Sequence, residues 1–297
     1  MPELKQLKYL TVCAETGSFS RASEQLGTTQ PNVSRVIREL EEELGVPLFV
    51  RKGHGIAMTE EGARVGRIAK RVLRTAELLQ EAAESGGTAC FSAAAVGGRA
   101  VAQAMAAFCR RHIDTVVFRY LVGDTDFVQR QVENYQAEIG LVTISVRHLS
   151  GFQYLLSRRH LEFHSLRTGG VAVSFGRPSP FGKLTSVGCE ELKQVRFIRS
   201  ADDRFSLENH VAALFSDAAL RRVFDRAIVT NSGHAMAELL RSVPGLCHLN
   251  TLSPGGEHRG GLRTLPIDGC EDSVVFGYLK REKEELSEYA LELIQSV

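Results

Sequence analysis

The chain has 297 residues, 43% of them hydrophobic, which is enough for two or three domains with separate cores. Its formal net charge of +1 excludes recognition of a polyanion through overall charge, so a nucleic-acid interface would have to come from local charge placement. No run of about 18 apolar residues occurs, and the first residues, MPELKQLKYLTV, lack a signal-peptide pattern. We therefore expect a cytoplasmic protein without a membrane partner.

Cysteine and histidine patterns indicate no metal centre. The six cysteines are far apart and form no Cys-x-x-Cys pair, which argues against a zinc framework or a dense disulfide scaffold. We expect most of them to be buried, with a redox-sensing pair as the alternative. His160 and His164 are four residues apart, but their segment alternates and favours a strand over a metal-binding helix. We predict no metal and no cofactor.

Two short helices are predicted at the amino terminus, over residues 3–15 and 18–26. Gly17 separates them, and Ser18 is a suitable cap for the second. A third helix follows the turn at Gly27, capped by Thr28 or Thr29. Three short helices with a tight glycine turn predict a helix-turn-helix arrangement.

The third helix has two distinct faces. Apolar residues at helical spacing define a buried face: Val33, Ile37, Leu40 and Leu44. Polar residues on another face point outward: Gln30, Ser34, Arg35 and Arg38. The following VPLFVRKGHGIAMT has short β-prone runs around Arg51 and Lys52, and it predicts a hairpin or wing.

A long helix is predicted from Thr59 to about Glu84. Apolar residues alternate four and three apart along it: Val65, Ala69, Val72, Ala76, Leu79 and Ala83. Three heptads of this spacing favour a dimer seam, while an amphipathic helix lying on its own domain is the alternative. The run ESGGTA at 84–89 predicts a hinge.

Beyond the hinge, strands and helices alternate. A βαβαβ pattern over 89–144 predicts a parallel sheet with crossover helices. Further strands are predicted near 152–166 and 170–175, then a helix at 206–223 among shorter elements, and strand 273–280 with helix 283–295 at the end.

Charges in the first 84 residues are balanced but segregated. This segment has 12 Lys/Arg and 12 Glu, yet residues 28–38, 50–59 and 62–76 carry basic side chains and no acid. Such segregation allows the start of the third helix and the wing to meet phosphates. Solvated helix faces would explain any one of these runs, but not all three together.

The first 65 residues resemble the LysR-type bacterial transcriptional regulators. The resemblance rests on Ser18-Phe19, Ala22, Leu26, Gln30, Ser34, Ile37, LEEELG at 40–45, Leu48-Phe49, Arg51, Thr59 and Gly62. Later runs are similar more diffusely: AFCRRH at 107–112, AEIGLV at 137–142, LKQVRFI at 192–198 and MAELLRSVPGL at 236–246.

The resemblance implies an α plus α/β fold in three parts. Residues 1–59 would form a winged helix-turn-helix DNA-binding domain, and 60–87 a linker (dimerisation) helix and hinge. Residues 88–297 would form a two-lobed, periplasmic-binding-protein-like α/β effector domain, with lobe I at about 88–163 and 268–297 and lobe II at about 164–267. Crossover strands would lie near 161–166 and 262–268. The implied partners are a two-fold operator in double-stranded DNA, an effector of unknown identity, further copies of the chain in a homodimer or homotetramer, and RNA polymerase.

The family's DNA contacts carry over to the turn, the third helix and the wing. The candidate DNA-binding residues are Ser18, Ser20, Arg21, Thr28, Thr29, Gln30, Pro31, Ser34, Arg35, Arg38, Arg51 and Lys52. Gln suits an adenine edge, Arg a guanine edge or a phosphate, and a wing arginine a narrow minor groove. The alternatives are a helix cap for Gln30 and a surface ion pair with Glu39 for Arg35.

The family's effector usually lies between the lobes, held by hydroxyls and backbone N–H groups. The candidate effector-binding residues are Ser92, Ala93, Ala95, Arg199, Ser200, Thr230, Asn231 and Ser232. Ala93 and Ala95 stand where the family usually has Ser or Thr, Gly140 where it has an acid, and Cys247 where it has Gly. These departures suggest a less polar ligand or a cleft without one.

Three classes of function remain in view. The amino-terminal run favours an effector-responsive transcriptional regulator, with a redox-sensing regulator as a variant. The two-lobed body alone would suit a cytosolic solute-binding protein with a vestigial DNA-binding unit. An enzyme is not expected, because the chain has no Gly-x-Ser-x-Gly elbow, no phosphate-binding loop and no Gly-x-Gly-x-x-Gly after a strand.

Overall fold

The computed structural model describes residues 1–53, 55–84, 88–179, 181–200, 205–251 and 261–297. The chain forms two compact units, residues 1–90 with 134–136 and residues 91–133 with 137–297. No helix in these described ranges is long and apolar enough to cross a membrane.

The amino-terminal unit has the predicted three short helices, hairpin and long helix. Its elements are α1 (Leu4–Thr16), α2 (Phe19–Gln25), α3 (Gln30–Leu44), β1 (Phe49–Lys52), β2 (Gly55–Met58) and α4 (Glu60–Glu84). Gly17 and Gly45 end α1 and α3 in the left-handed conformation, at φ 62° and 69°. Glycine adopts this conformation without the strain that a β-carbon brings, so the local sequence fixes where these helices stop.

The core of this unit lies between α1, α2, α3 and the start of α4. Its fully buried side chains include Leu10, Cys13, Val33 and Leu40. Ala69 of α4 is buried in the same core.

The proposed seam on α4 is therefore partly wrong. The first turns of α4 pack against α1, so Val65 and Ala69 contact the core of their own unit. The apolar side chains left exposed form a neighbouring stripe: Ile68 is 58% exposed, Val72 38% and Leu79 69%.

The second unit contains two five-stranded sheets. Sheet 1 has the order β4-β3-β5-β12-β6, and its strands are β3 (Ala89–Val96), β4 (Val116–Gly123), β5 (Ile139–Ser145), β6 (Leu161–Gly169) and β12 (Val274–Arg281). β3 and β5 are parallel, as the βαβαβ pattern predicted, and β12 is antiparallel to β5. The helices around it are α5 (Arg99–His112), α6 (Thr125–Glu133), α7 (Leu149–Ser157) and α12 (Glu288–Ser296).

Sheet 2 has the order β11-β7-β10-β8-β9. Its strands are β7 (Val171–Phe175), β8 (Arg196–Arg199), β9 (Ile228–Val229), β10 (Leu246–Thr251) and β11 (Arg263–Pro266). Its helices are α8 (Cys189–Leu192), α9 (Leu207–Phe215), α10 (Ala218–Asp225) and α11 (Gly233–Ser242). The chain passes from sheet 1 to sheet 2 between β6 and β7 and returns between β11 and β12, so two connections join the sheets.

Two predicted elements are wrong. Residues 149–157 form α7 rather than part of a strand, because Phe152 and Leu156, four residues apart, are both fully buried on one helix face. The single helix predicted over 206–223 is broken at Ser216, which has a φ of 52°, and Asp217 caps α10 by accepting hydrogen bonds from two backbone N–H groups.

Candidate nucleic-acid interface and effector cleft

The outward face of α3 carries the central DNA-contact candidates. Gln30, Pro31, Arg35 and Arg38 are exposed, and Ser34 is half-buried. Behind them, the buried side of the helix is Val33, Val36, Ile37 and Leu40. Packing thus fixes the rotation of α3 about its axis, so short polar side chains and arginines lie on the solvent side.

The first turn of α3 begins as predicted, with Thr29 as the cap residue and Pro31 in the first turn. The hydroxyl of Thr29 makes no capping hydrogen bond, and the residue is exposed. The predicted cap of α2 is present, because the side-chain oxygen of Ser18 accepts from the backbone N–H of Arg21 at 3.4 Å. Ser20 and Arg21 are exposed on the first turn of α2.

Arg35 is held by two neighbours on its own helix. Its Nη1 donates to Oε1 of Glu39 at 2.8 Å, and its Nη2 donates to Oδ1 of Asn32 at 2.9 Å. The ion pair that was the alternative interpretation of Arg35 is thus present in the protein without DNA. Nδ2 of Asn32 in turn donates to the hydroxyl of Thr28 at 2.9 Å.

Sequence reasoning did not single out Asn32. The spacing could have indicated it, because residues 32, 35 and 39 lie three and four apart and so share one side of the helix, and residue 28 lies just before the cap residue.

The wing is fixed against the helices by backbone contacts. In its antiparallel register Arg51 lies opposite Ile56, and the backbone N–H of Ile56 donates to the carbonyl of Gly17 at 3.0 Å. A β-carbon at residue 55 would lie 2.5 Å from that same carbonyl oxygen, so the close approach requires Gly55. Arg51 is exposed on this rigid hairpin. The side chain of Lys52 lies outside the described part of the chain.

Glu41 ties the far end of α3 to the wing. Its Oε1 accepts from the backbone N–H groups of Leu48 and Phe49, at 2.6 and 3.1 Å. One of the clustered glutamates of α3 therefore stabilises the position of the wing relative to the recognition helix.

The three effector candidates of β3 lie within sheet 1. Ala93 and Ala95 are fully buried, and Ser92 is half-buried. The carbonyl of Ser92 accepts from the backbone N–H of Glu138 at 2.8 Å. The side chains of both alanines are thus covered by protein.

The other five effector candidates lie together at one edge of sheet 2. Arg199 ends β8, and its carbonyl accepts from the backbone N–H of Thr230, which follows β9. The hydroxyls of Thr230 and Ser232 accept from the backbone N–H groups of Ser232 and Ala235, at 3.1 and 3.2 Å. Both hydroxyls therefore stabilise a turn and a helix start, while Ser200 and Asn231 are exposed beside them.

A cavity of about 320 Å³ lies where the chain passes between the two sheets. Its lining includes Thr143, Arg167, Thr168, Thr251, Glu271 and Phe276. The guanidinium of Arg167 stands 4.8 Å from the ring centroid of Phe276, so a cation and an aromatic ring border the same cavity. None of the eight effector candidates lines it.

Sheets 1 and 2 are also linked by a buried histidine. His210 of α9 is 2% exposed, and its Nδ1 lies 2.8 Å from the hydroxyl of Ser145 at the end of β5. Burial, and then the nearby His148 and Arg147, lower the pKa of His210 from its ordinary value of 6.5. Its Nε2 is buried and has no partner among the described residues.

Comparison with known proteins covers nearly the whole chain. Residues 4–63 match the bacterial regulatory helix-turn-helix proteins of the lysR family, and residues 82–297 match the LysR substrate binding domain.

Individual relatives are more distant. A probable RuBisCO transcriptional regulator of Cyanophora paradoxa is 27% identical over 233 residues, which are 77% of this chain and 65% of that protein, so the chain spans just under two thirds of that relative's length. The HTH-type transcriptional regulator CrgA of Neisseria meningitidis serogroup B is 44% identical over 70 residues, 24% of this chain and 23% of that protein.

Among solved structures, full-length CbnR complexed with its target DNA is 20% identical and has a TM-score of 0.54, covering 100% of this chain and 99% of that one. At this identity the likeness concerns the fold alone. The two family matches together leave few residues uncovered, and they agree with the helix-turn-helix, the long helix α4 and the two mixed sheets. The chain therefore belongs to the LysR family of DNA-binding bacterial transcriptional regulators, which is not a family of enzymes.

Proposed function

We propose that the protein regulates transcription by binding a two-fold operator, with α3 in the major groove and the wing beside the adjacent minor groove. The supporting observation is the outward face of α3, where Gln30, Arg35 and Arg38 are exposed opposite a fully apolar buried side. Pro31 is exposed and Ser34 half-buried on the same face. Base edges need short, directional donors and acceptors, and phosphates need cations.

The proposed DNA contacts divide by chemistry. Gln30, Ser34 and Arg35 would read base edges, and Arg38 would bind a phosphate. Arg51 would enter the minor groove. The remaining candidates are placed to contact the backbone of the duplex: Ser18, Ser20, Arg21, Thr28, Thr29, Pro31 and Lys52.

Two copies of the chain would pair through α4. Ile68, Val72 and Leu79 form an exposed apolar stripe with four- and seven-residue steps, which is the spacing of one helix face. Residues 62–76 of the helix carry five basic side chains and no acid, whereas residues 77–84 carry three glutamates and no base. Antiparallel pairing brings the basic segment of one helix beside the acidic segment of the other, and parallel pairing sets like charges together. We therefore propose an antiparallel homodimer, with a homotetramer as the larger assembly.

A small-molecule effector would modulate this binding from the cleft between the sheets. The candidates there are Arg199, Ser200, Thr230, Asn231 and Ser232 at the edge of sheet 2, with the backbone around Ser92, Ala93 and Ala95 in sheet 1. The hydroxyls of Thr230 and Ser232 accept backbone hydrogen bonds and keep their protons to donate to a ligand, and Ser200 and Asn231 are exposed beside them. The effector would shift operator binding by favouring one arrangement of the dimer over another.

The redox-sensing alternative is less well supported. Burial raises the pKa of the Cys13, Cys247 and Cys270 thiols to about 12 and also raises that of Cys189. A sensor thiol reacts as the thiolate, which these four do not form near neutral pH.

Regulation of transcription also implies that the protein acts in the bacterial cytoplasm, with RNA polymerase as a partner at the promoter.

Footprinting on the region upstream of the protein's own gene tests the proposal. The full chain should protect two half-sites about one helical turn apart or a multiple of it, and a chain lacking residues 1–87 should protect none. Equal protection of unrelated DNA would contradict operator recognition. Retained DNA binding by the truncated chain would show that α3 is not the reading element.

A further inference from the structure

Asn32 occupies the centre of a polar network on the recognition helix. It is half-buried, one residue after Pro31, and joins three parts of the amino-terminal unit. Its Nδ2 donates to the hydroxyl of Thr28 at 2.9 Å and lies 3.5 Å from the hydroxyl of Tyr9, which is buried in α1. Its Oδ1 accepts from Nη2 of Arg35 at 2.9 Å.

The chemistry of its partners fixes the orientation of the Asn32 amide. Arginine can only donate, so the oxygen of the amide has to face Arg35. The nitrogen then faces the hydroxyls of Thr28 and Tyr9, and both of them can accept. Asn32 therefore has a partner at each end, and a reversed amide would lose its hydrogen bond to Arg35.

We propose that Asn32 is a positioning residue for DNA recognition, which orients Arg35 and Thr28 without touching the bases itself. This inference rests on the proposed contacts of Arg35 and Thr28 with DNA. Glu39 holds one end of the Arg35 guanidinium and Asn32 the other. Two of the five N–H groups are used in this way, and the others remain to donate to a guanine edge or a phosphate.

The same geometry prepares Thr28. Because its oxygen accepts from Asn32, its own hydroxyl proton points elsewhere and can be donated to a phosphate oxygen. A single amide thus prepares one side chain for a phosphate and one for a base. Ordering both before the encounter lowers the cost of fixing them in the complex.

The test uses the full chain and a pool of random-sequence DNA from which a preferred site is selected. Fluorescence anisotropy then compares that site with unselected DNA for the wild type, Asn32→Ala, Arg35→Ala and the double variant. Asn32→Ala should lower affinity for the selected site about two- to tenfold, because Arg35 would then have to be fixed in one orientation on binding. Its affinity for unselected DNA should fall less than this, because only the phosphate contact of Thr28 is common to both kinds of DNA. In the Arg35→Ala background the Asn32 substitution should cost much less than it does alone, because its main target is already gone.

Each outcome decides the inference. If the affinity loss of the double variant equals the product of the two single losses, Asn32 acts independently of Arg35. If Asn32→Ala binds the selected site as tightly as the wild type, Asn32 positions nothing. Either result overturns the inference. If no preferred site emerges, or if Arg35→Ala binds like the wild type, the proposed DNA contacts fail, and this inference falls with them. Thermal unfolding checks each variant; should Asn32→Ala melt early, Asn32→Ser, which is too short to reach Arg35, carries the same prediction.

Discussion

Replacing Leu79 with lysine should separate the copies of the protein. Leu79 is 69% exposed on α4 in the single chain, at the end of the stripe that begins at Ile68 and includes Val72. In the dimer, the apolar stripe of the second copy would cover this side chain. The substitution would then place an ammonium group in an apolar contact. In the unpaired chain the same lysine would stay in water, and the fold should tolerate it.

The size of the effect follows from the exposed fractions. Ile68, Val72 and Leu79 expose 58, 38 and 69% of their surface, which together is between one and two whole side chains per copy. Burying a complete aliphatic side chain contributes about 1.5–3 kcal/mol, so the stripe offers about 2–5 kcal/mol per copy and twice that for a pair. Losing the share of Leu79 from both copies should weaken association by about 2–4 kcal/mol, roughly 30- to 1000-fold.

Sedimentation velocity across a dilution series measures this shift. Leu4→Lys is the matched control, because Leu4 is 50% exposed at the start of α1 and lies outside the stripe. We expect Leu79→Lys to sediment as smaller species at concentrations where the control remains assembled, with unchanged thermal unfolding of the amino-terminal unit. An unchanged dissociation constant for Leu79→Lys would refute pairing through this face of α4.

Further outcomes are expected for the reading face, the buried histidines and the core. Gln30→Ala and Ser34→Ala should each weaken binding to a selected operator by about 1–3 kcal/mol in anisotropy titrations and leave random DNA nearly unaffected; equal losses on both would contradict base contact. Burial lowers the pKa of His210 and His248, so the unfolded chain binds more protons below about pH 6.5, and urea unfolding should show stability falling from pH 7 towards pH 5; constant stability would contradict the burial of neutral histidines. Phe197→Ala should cost about 3–5 kcal/mol in the same assay, because the ring is 1% exposed and packs edge-on against Phe224; a loss below 1 kcal/mol would mean that sheet 2 has no such core.

The amino-terminal unit was predictable because its signals are local. Gly17 ends α1, Ser18 caps α2, and the apolar spacing of α3 identifies its buried face. Each of these depends on residues only a few positions apart, and the structure confirmed them. The hairpin of the wing was predictable for the same reason.

Tertiary packing determines the features that local sequence patterns could not predict. The spacing of Val65 and Ala69 is equally suitable for a dimer seam and for the core of their own unit, and only the position of α1 shows which applies. Residues 149–157 carry enough bulky apolar side chains for either a strand or a helix, and burial of Phe152 and Leu156 favours the helix. The break at Ser216 depends on a positive φ that no periodicity reveals.

The candidate sites differ in how far sequence could identify them. The exposed face of α3 follows from its buried one, so Gln30 and Arg35 were found. The hydroxyls of Thr230 and Ser232 were also found by position, yet they already accept backbone hydrogen bonds, and a sequence cannot show whether a hydroxyl caps a turn or faces a cleft. The cavity beside Arg167 and Phe276 was missed because four separated segments form it.

The ion pair of Arg35 with Glu39, first considered as an alternative to a DNA contact, is compatible with such a contact. A surface pair with Glu39 contributes little to stability by itself, about 0.3–0.5 kcal/mol at this spacing, so stability alone hardly explains the arrangement. Together with Asn32, however, the glutamate holds a long side chain in one orientation on the face that would meet DNA. Immobilising such a side chain costs about 0.5–1.5 kcal/mol when it happens on binding. A network that does this in the free protein stabilises the complex rather than the fold, so its loss should appear in operator affinity and hardly at all in the free energy of unfolding.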